Sequence, residues 1–454
     1  MSSLGFNVSL ASSSNSSSSS GIDVTAVVDQ ILEAERGPEK LWQQQQTDLS
    51  NQTSVLTSIN ASLNALADSV NGLKDVLGVV NSKSATSSQP GILTASAMTT
   101  AVSGTHILTV INLASTASYY SDGMASGTTL TDGQLAFTAG DKSASIVIDA
   151  AHGTNTLSGL ADYINKNDFG VTASVIHDAT GDMLAIVSKT TGDPGKIAIT
   201  TNTSGLNFHQ SSQGKNASFS VDGVPLSSAT NSVTTAIPGV TLNLLSSAPG
   251  TQFVVTVGSD TSGIKRAVSS FVTSYNAVIK AINGQFAVDQ TAGTVGVLAG
   301  NSSLRTLQSN LLSDITYSVD NGNGPVGLAS MGIDMEDDGT LTVDDAKLSD
   351  ILGNHFSDFQ SFLQSTGPKG FAVNFGADLT NLTDPTDGLL NQSLVENSNQ
   401  QKTLSQQIRD LEDRLSTQRQ LLLNEYSRID AMLRSYPTTM AQINAMLGAL
   451  PQAK

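Results

Sequence analysis

The feature that most constrains the fold is a run of heptads near the end of the chain, within residues 401–436. Apolar side chains recur there at alternating steps of three and four residues, and Gln418 and Glu425 occupy the two gaps. The apolar positions are Leu404, Ile408, Leu411, Leu415, Leu422, Ile429, Met432 and Tyr436. A period of about 3.5 residues is typical of a helix that buries one edge against other helices. No Gly or Pro interrupts the run before Pro437.

A helix of this length needs a partner. It would extend about 54 Å at about 1.5 Å per residue, which exceeds the width of a small domain. Each leucine on its apolar edge stabilises the fold by roughly 1.5–3 kcal/mol when it is buried. A second heptad run starts at Trp42 and has matching period and length. Its first heptad position holds Leu49, Leu56, Leu63, Val70 and Leu77. Its second holds Gln52, Ile59, Leu66 and Leu73. We therefore expect a hairpin of terminal coils that carries a large insertion.

Two shorter features precede the second run. Ser12–Ser20 is nearly all serine, and such a tract cannot bury enough apolar surface to order itself. Asp23 or Thr25 can then cap a short helix. Its apolar face would hold Val24, Val27, Val28, Ile31 and Leu32. Gly37-Pro38 should end this helix before the heptads begin.

The apolar period changes to two after a stretch that we interpret as a polar linker, Asn81–Gly91. Alternation of this kind predicts half-buried strands. The predicted strands are Ile92–Thr100, His106–Leu113, Gln134–Thr138, Ser145–Asp149, Val171–His177, Met183–Ser188, Ile197–Thr200, Ala217–Val221, Val240–Leu245 and Phe253–Val257. One short helix, Leu157–Asn165, interrupts them, and Asp222-Gly223 predicts a tight hairpin turn.

A helical period returns at Thr261. It predicts one long helix through Ile282 and shorter helices at Ser303–Asp314, Asp344–Leu352 and Phe356–Leu363. Gly324–Val343 should hold a hairpin that turns at Asp338-Gly339, and Asn374–Thr383 leads towards the final coil. The final coil should begin near Gly388.

The predicted fold class is a multidomain α+β protein, in which terminal coiled-coil helices and a helical domain carry inserted antiparallel β-rich domains. We divide the chain into a disordered serine-rich segment (1–20), N-terminal helices (21–80) and a β-rich head domain (90–120 and 205–258). A second β-rich domain (121–204) is inserted in the head, and a helical domain with a small hairpin (261–385) and a C-terminal coil (386–454) follow.

Composition excludes several classes of function. The 22 basic and 39 acidic residues give a net charge of −17, which disfavours a nucleic-acid-binding face. The absence of cysteine removes disulfides, thiol nucleophiles and thiolate metal sites. No stretch is long and apolar enough to predict a membrane span, and Met1–Ser20 lacks the pattern of a cleaved signal peptide. If the protein is exported, we therefore expect a route other than an ordinary signal peptide.

Few residues suggest chemistry. Asp334, Glu336, Asp338, Gly339 and Asp345 follow the spacing of a calcium-binding loop, but the last ligand is Asp rather than Glu. A hairpin turn with solvated acids is the better interpretation. The histidines are scattered at His106, His152, His177, His209 and His355, which does not predict a metal site. No nucleophile elbow or phosphate loop is found either, so we expect no cofactor and no enzyme activity.

Several stretches in order carry a resemblance to a known family. They read GIDVTAVVDQILEAE, ILTVINLAST, SASIVIDAAHGTNTLSGLADYIN with GVTASVIHD, FSVDGVPLSSATNSVTTAIPGVTLNL, DTSGIKRAVSSFVTSYNAVIKAIN, LASMGIDMEDDGTLTVDDAKL and IRDLEDRLSTQRQLLLNEYSRIDAML. Together they make the chain resemble the bacterial flagellar filament-capping proteins, also called hook-associated protein 2, from Gly21 to Leu450.

The resemblance implies a function and partners. Members of that family form a homo-oligomeric, pentamer-like ring at the filament tip and promote the insertion and folding of exported flagellin. Their terminal helices point into the filament and their β domains lie one inside the other. The resemblance also implies contact with hook–filament junction proteins, export through the flagellar type III apparatus, and a cytoplasmic chaperone on the C-terminal region.

Candidate residues for self-association or partner binding lie on the terminal helices. They are Ile22, Val27, Ile31, Leu56, Leu63, Leu411, Leu415, Leu422, Ile429, Met446, Leu447 and Leu450. For Leu56, Leu63, Leu415 and Leu422, contacts within the chain are the favoured alternative. After Pro437, Met440, Ile443, Met446, Leu447 and Leu450 form an apolar face that favours a partner helix, with terminal fraying as the alternative. A surface adhesin that binds glycan or host protein remains the alternative function.

Overall fold

The structure is a computed structural model of the chain, and it describes residues 23–75, 78–289, 293–320, 325–364 and 370–448. The side chains of Asp289, Asp320, Leu447 and Gly448 are not described. The serine-rich segment 1–20, Ile22, Leu77 and Leu450 lie outside the described residues.

The chain divides into two compact units. A helical unit comprises residues 1–71, 270–348 and 365–454, and a β-rich unit comprises residues 72–269 and 349–364. The described helices are α1 (Val24–Glu35), α2 (Gly37–Lys74), α3 (Leu157–Lys166), α4 (Thr261–Phe286), α5 (Ser302–Ile315), α6 (Asp345–Asn354), α7 (Phe356–Gln364), α8 (Phe371–Leu382) and α9 (Leu389–Gly448).

Strands occupy most of the β-rich unit, and three small hairpins lie in the helical unit. Up to the insertion helix α3 they are β1 (Lys83–Ser87), β2 (Leu93–Ala97), β3 (Gly104–Asn112), β4 (Thr116–Ser121), β5 (Gly133–Ala139) and β6 (Lys142–Ile148). After α3 they are β7 (Val171–Asp178), β8 (Gly181–Thr191), β9 (Ile197–Asn202), β10 (Phe208–Ser212), β11 (Ala217–Val221), β12 (Val224–Ser228), β13 (Ser232–Ile237), β14 (Val240–Leu244) and β15 (Phe253–Ser259). The small hairpins are β16 (Val288–Asp289) with β17 (Thr294–Val295), β18 (Ser318–Asp320) with β19 (Pro325–Gly327), and β20 (Ile333–Met335) with β21 (Leu341–Val343).

The first core of the β-rich unit contains side chains from two sheets. One sheet has five strands in the order β1-β15-β3-β11-β12, and the other has three in the order β13-β14-β2. Alternate residues point inward in strands such as β14, where Val240, Leu242 and Leu244 are buried and the residues between them are half-buried. The residues of this core include Leu93, Leu108, Val110, Phe219, Val255 and Val257.

A second core forms from the chain between β3 and β11. It combines a four-stranded sheet (β10-β4-β8-β7), a three-stranded sheet (β6-β5-β9) and helix α3. Leu157, Leu160, Ala161 and Ile164 are the buried face of α3, which is the face that the sequence predicts. Strands β4 and β10 extend beyond the range 121–204 that we assigned to this domain from the sequence, because their mostly polar residues hide the alternation.

The core of the helical unit is rich in aromatic side chains. Phe271 on α4 contacts Phe371 and Phe375 on α8 edge-on, with ring centroids 5.9 and 6.2 Å apart. Leu304, Leu307, Leu311 and Ile315 form the buried face of α5. These contacts confirm the helical period predicted after Thr261.

The interpretation of Asn81–Gly91 as a polar linker is wrong. The polar linker Asn81–Gly91 contains β1, which pairs antiparallel with β15 from Lys83 to Ser87. This strand was missed because it lies at a sheet edge and only Ala85 is buried, so it shows no apolar alternation. Helix α9 contains Pro437 and continues past it to Gly448.

The hairpin between β11 and β12 turns as predicted at Asp222-Gly223. Both residues have positive φ, 52° and 80°, as a tight primed turn requires. The Asp222 carboxylate accepts a hydrogen bond from the Ile107 backbone N–H at 2.8 Å and contacts His106 Nδ1 at 2.8 Å. These hydrogen bonds hold the pKa of Asp222 below its ordinary value, with the His106 contact as the largest cause.

Three other histidines of the β-rich unit each contact an aspartate. The pairs are His152 with Asp149, His177 with Asp182, and His209 with Asp122. In each pair, hydrogen bonds lower the pKa of the aspartate below its ordinary value of 3.8. The largest cause is the backbone of His152 for Asp149, the side chain of His177 for Asp182, and the side chain of Asn207 for Asp122. The carboxylates therefore favour the folded state when they are charged.

We predict that Asp222→Asn lowers the denaturation midpoint at about pH 7 but not at about pH 3. A carboxylate whose pKa is depressed on folding stabilises the protein above its unfolded pKa of 3.8, and that stability is lost as the pH falls through the lower folded value. Asparagine tolerates the positive φ of this turn, so the turn itself should persist.

Urea denaturation followed by circular dichroism at several pH values measures this difference. Asp132→Asn, on an exposed loop of the same unit, is the matched control. A deficit for Asp222→Asn of equal size at both pH values would contradict the role of the charge.

Candidate assembly surface

Helix α9 lies antiparallel beside α2. Gln46 Nε2 donates to Ser405 Oγ at 2.7 Å, and Asn397 Nδ2 donates to Thr53 Oγ1 at 3.4 Å. Farther along α2, Asn60 Nδ2 lies 3.5 Å from an Asn391 side-chain oxygen. The residue numbers of the partners on α9 therefore fall as those on α2 rise. Leu56, Ile59, Leu63, Leu66 and Val70 are at most 1% exposed. The two terminal helices therefore pair, but these contacts involve residues 391–405 of α9, most of which precede the predicted heptad run at 401–436.

Helix α1 covers the next part of α9. Val28 and Leu32 pack against Leu411 and Leu415, and all four side chains are buried. Val24, Trp42, Leu422, Leu423 and Tyr426 pack around this cluster and are partly buried. We did not predict this contact from the sequence, because α1 is too short to show a heptad pattern of its own.

Polar side chains complete the contact between α1 and α9. Gln418 occupies a gap in the heptad pattern, and its Nε2 donates to Glu35 Oε1 at 2.7 Å. Arg419 Nε donates to Asp29 Oδ1 at 3.0 Å. The polar side chain of Gln418, which interrupts the apolar heptad positions, is therefore hydrogen-bonded to α1 rather than to solvent alone.

The heptad pattern continues beyond Tyr426 without cover from the described residues. From Ser427 to Met446 every residue except Asp430 is exposed. The apolar side chains in this stretch, here called the exposed seam, are Ile429, Met432, Leu433, Tyr436, Met440, Ile443 and Met446, with exposures from 39% to 72%. Soluble proteins rarely expose a continuous apolar stripe of this kind unless it binds something.

The α2–α9 pair is also partly open before the α1 contact. A groove of about 900 Å³ runs along the two helices, and Leu49, Val395 and Leu404 lie among its mostly polar lining residues. The side chains at Leu49 and Leu404 are half-buried, in contrast to Leu411 and Leu415. The apolar edge of α9 is therefore closed most tightly at the α1 contact.

The candidate residues from the sequence fall into three groups. Leu56, Leu63, Leu411 and Leu415 are at most 3% exposed, so other residues of the chain cover them. Val27, Ile31 and Leu422 are half-buried near the α1–α9 contact. Ile429 and Met446 belong to the exposed seam. Ile22 and Leu450 lie outside the described residues, and the Leu447 side chain is not described. Leu433 is exposed and belongs to the exposed seam, although it does not occupy a heptad position predicted from the sequence.

The loop with calcium-like spacing forms a hairpin turn. Asp338 Oδ1 accepts hydrogen bonds from the Thr340 backbone N–H and hydroxyl at 2.9 and 2.6 Å, which lowers its pKa. In the part of the chain that the structure describes, no three His, Asp or Glu side chains are grouped to hold a metal ion. None of the described helices combines the length and apolar character needed to cross a membrane.

Family models match most of the chain. The flagellar hook-associated protein 2 N-terminus matches residues 20–117, and the flagellar hook-associated protein 2 C-terminus matches residues 214–438. The flagellin hook IN motif matches residues 134–190, which lie within the second core of the β-rich unit.

Known proteins match along nearly the same length. The chain is 31% identical to the B-type flagellar hook-associated protein 2 of Pseudomonas aeruginosa over 82% of this chain and 84% of the relative. It is 28% identical to the A-type protein of that species over 95% and 96%. Its fold is similar to the D1-D2-D3 domains of the flagellar cap protein FliD from Escherichia coli, with a TM-score of 0.56, 24% identity and coverage of 76% and 99%.

We predict that Leu411→Ala lowers the free energy of unfolding by about 2–5 kcal/mol, because it leaves a cavity in the buried α1–α9 contact. Ile429→Ala on the same helix should change it by no more than about 0.5 kcal/mol, because its side chain is already exposed. Chemical denaturation of the two variants at low protein concentration, followed by circular dichroism, measures both values. Equal losses would show that the α1 contact does not hold α9.

Proposed function

The chain belongs to the flagellar hook-associated protein 2 family, and from this we infer that it is the structural cap at the tip of the bacterial flagellar filament. The observation that carries this inference is 31% identity to a Pseudomonas aeruginosa member over 82% of the chain. The cap assembles from copies of the chain and promotes the insertion and folding of exported flagellin. Its place is outside the cell, at the tip of the filament.

The exposed seam supports a role for the end of α9 in assembly. Burying each of its large apolar side chains against another helix stabilises the complex by roughly 1.5–3 kcal/mol before the costs of association. Between Ser427 and Met446 the charged residues are Arg428, Asp430 and Arg434, and Arg434 already pairs with Asp430 at 2.7 Å. We therefore propose that apolar contact, more than charge, selects the partner of this segment.

We propose four helical partners for the exposed seam at different stages. Within the cap the partner is a neighbouring copy, in a pentamer-like ring. In the filament, the partners are flagellin subunits and, before the filament grows, the hook–filament junction proteins. Before export the partner is a cytoplasmic chaperone that covers the C-terminal region. A helix with an apolar stripe can serve all of these partners, because helix-in-groove contacts use the same spacing of anchors.

We propose that the protein performs this role without catalysis. Assembly by apolar contact needs no nucleophile, acid or base, and the acidic groups of the calcium-like loop are used in a turn. The sequence contains no cysteine, so a chain exported through the flagellar type III apparatus would not have to break or form disulfides.

We predict that a chain ending at Tyr426 folds but does not support filament growth. The truncation removes the exposed seam and leaves the α1 and α2 contacts of α9 intact. Complementation of a strain that lacks the gene, scored by filament length in electron micrographs, tests this prediction. A chain ending at Gly448 is the matched control, and normal filaments with the shorter chain would contradict the proposed role of the seam.

Loss of the whole protein separates the cap from the adhesin alternative. A cap predicts flagellin monomers in the medium and no filaments, whereas an adhesin predicts normal filaments with poor attachment. No observation on the described residues favours the adhesin.

A further prediction concerns self-association in solution. Substituting Ile429, Met432 and Tyr436 together by serine should lower the average mass measured by light scattering, because all three side chains belong to the exposed seam. The thermal unfolding midpoint of the dissociated chain should be unchanged. Triple replacement of the exposed polar residues Gln407, Thr417 and Gln420 by serine is the control. An unchanged mass would show that copies associate through other surfaces.

A further inference from the structure

The second core of the β-rich unit carries charges of different sign at its two ends. Strand β8 runs between these ends, with Asp182 near its start and Lys189 near its finish. Its 11 residues extend about 33 Å, at about 3.3 Å per residue. This distance is about four times the Debye length of about 8 Å at physiological salt. Each end therefore presents its own charge to a partner.

One end, here called the acidic end, lies at the turn between β7 and β8. Five aspartates lie there, namely Asp122, Asp132, Asp149, Asp178 and Asp182. Asp178 and Asp182 flank the turn, and Met124, two residues after Asp122, forms an isolated bridge with Asp182. Asp132 and Asp149 lie together, because the residues beside them, Gly133 and Ile148, pair between β5 and β6.

The start of α3 joins these two groups of aspartates. The Asp149 backbone N–H donates to Thr154 Oγ1 at 3.2 Å, just before α3 begins. Leu157, the first residue of α3, lines a cleft together with Asp182. The segments of this end, 122–135, 147–158, 176–183 and 200–210, contain five Asp and no Lys or Arg. The acidic end therefore has a charge of −5 with its histidines neutral.

The opposite end, here called the basic end, carries five lysines. They are Lys142, Lys166, Lys189, Lys196 and Lys215. Lys142 and Lys189 both contact the Asp168 carboxylate, and Lys166 is in the last turn of α3, two residues before Asp168. The Lys196 carbonyl accepts a hydrogen bond from the Gly140 N–H, in the turn before Lys142. These contacts bring four of the lysines to the same end.

The fifth lysine reaches this end through a short backbone bridge. Lys215 pairs with Ser115, and the Ser115 carbonyl accepts a hydrogen bond from the Gly192 N–H at 3.0 Å. The segments of the basic end, 139–143, 165–170, 188–196 and 213–216, contain five Lys and three Asp. Five minus three leaves a charge of +2, in a chain whose net charge is −17.

The charged side chains of the basic end are accessible to a partner. The side chains of Lys142, Lys189 and Lys196 are 41%, 46% and 64% exposed. Lys166 and Lys215 are exposed as well. Lys142 and Lys189 share the single carboxylate of Asp168, so one positive charge of this group is not matched within it. An acidic surface could therefore bind here.

We propose that the second core forms an electrostatic head-to-tail contact between copies of the chain, in which the acidic end of one copy binds the basic end of the next. This proposal rests on the proposed assembly of the cap from such copies. The chain itself carries both complementary surfaces, which identifies a second copy as the partner. Two identical ends would place like charges together, so the contact joins unlike ends. Such a contact repeats in one direction and can close into a ring.

This contact differs from the exposed seam in its response to salt. Attraction between accessible charges weakens as the Debye length shortens, whereas salt does not screen the burial of apolar side chains. Charge complementarity also fixes the orientation of partners more than it raises their affinity. The ends of the second core would therefore set the direction in which copies join, and the seam would hold them.

The test is the dissociation constant for self-association of the full chain, measured by sedimentation velocity. The basic-end variant combines Lys166→Glu and Lys215→Glu, which leaves three Lys against five acids and changes that end from +2 to −2. We expect its Kd to rise at least about tenfold at about 50 mM salt and to approach that of the original chain at about 500 mM salt. Lys280→Glu with Lys402→Glu, at two exposed lysines of the helical unit, is the matched control. It makes the same change in net charge and should not show this increase.

An acidic-end variant provides a second, independent measurement if the first variant does not fold. Asp132→Lys with Ala151→Lys changes two exposed positions and shifts that end from −5 to −2. Alone, this variant should also associate more weakly than the original chain. In an equal mixture of the two variants, one chain has an unaltered acidic end and the other an unaltered basic end. We expect the mixture to form one-to-one complexes with a Kd close to that of the original chain.

Two results would overturn the proposal. One is a mixture that associates no more tightly than either variant alone. The other is an original chain that stays monomeric at about 50 mM salt, or whose association does not weaken as salt rises to about 500 mM. Filament growth plays no part in this measurement, so its failure is distinct from failure of the truncation at Tyr426, which tests the capping function.

Discussion

The helical unit depends on the burial of one apolar edge of α9. The α2 helix lies antiparallel beside the first half of α9, and α1 closes the edge at Leu411 and Leu415. An isolated helix of 60 residues would leave this edge in water, so α9 owes its packing to two helices from the opposite end of the chain. The apolar edge of α9 continues past Tyr426, but the contact with the described part of α1 reaches no farther than Tyr426. The exposed seam is therefore the part of this edge that α1 does not cover.

Helix α9 has a covered part and an exposed part. Several residues of α9 up to Tyr426 make contacts within the chain, and from Ser427 onward the same kind of apolar edge is exposed. The continuation of α9 through Pro437 keeps that edge on one helix. Proline removes one backbone donor and crowds the preceding turn, which disfavours it inside a helix. At Pro437 the helix nevertheless continues in an exposed segment.

The pKa values of aspartates in the two units are shifted in opposite directions. In the β-rich unit, exposed aspartates face histidines and backbone donors, which lower the pKa of the carboxyl groups and favour the folded state near neutral pH. In the helical unit, burial, followed by the charge of Asp378, raises the pKa of Asp314 to about 7. The exposed aspartates of one unit therefore favour their charged form, whereas the surroundings of Asp314 in the other unit oppose it.

The sequence by itself determined the elements whose periodicity is strong. The heptads of α2 and α9, the apolar face of α3, the long helix α4 and the turn at Asp222-Gly223 follow from local patterns, because backbone geometry fixes which residues share a face. The family resemblance then supplied the cap function. The edge strand β1 was missed because strand pairing satisfies its backbone through β15, not through apolar side chains of its own.

Only the tertiary structure decided which part of the α9 edge is covered. The heptad pattern is equally strong at Leu415 and Ile429, yet the first side chain is 2% exposed and the second 39%, because α1 reaches only the first. The sequence likewise does not indicate that Asp314 and Asp378, which are 64 positions apart, line the same clefts. Periodicity specifies a face of a helix, but burial depends on what another part of the chain places against that face.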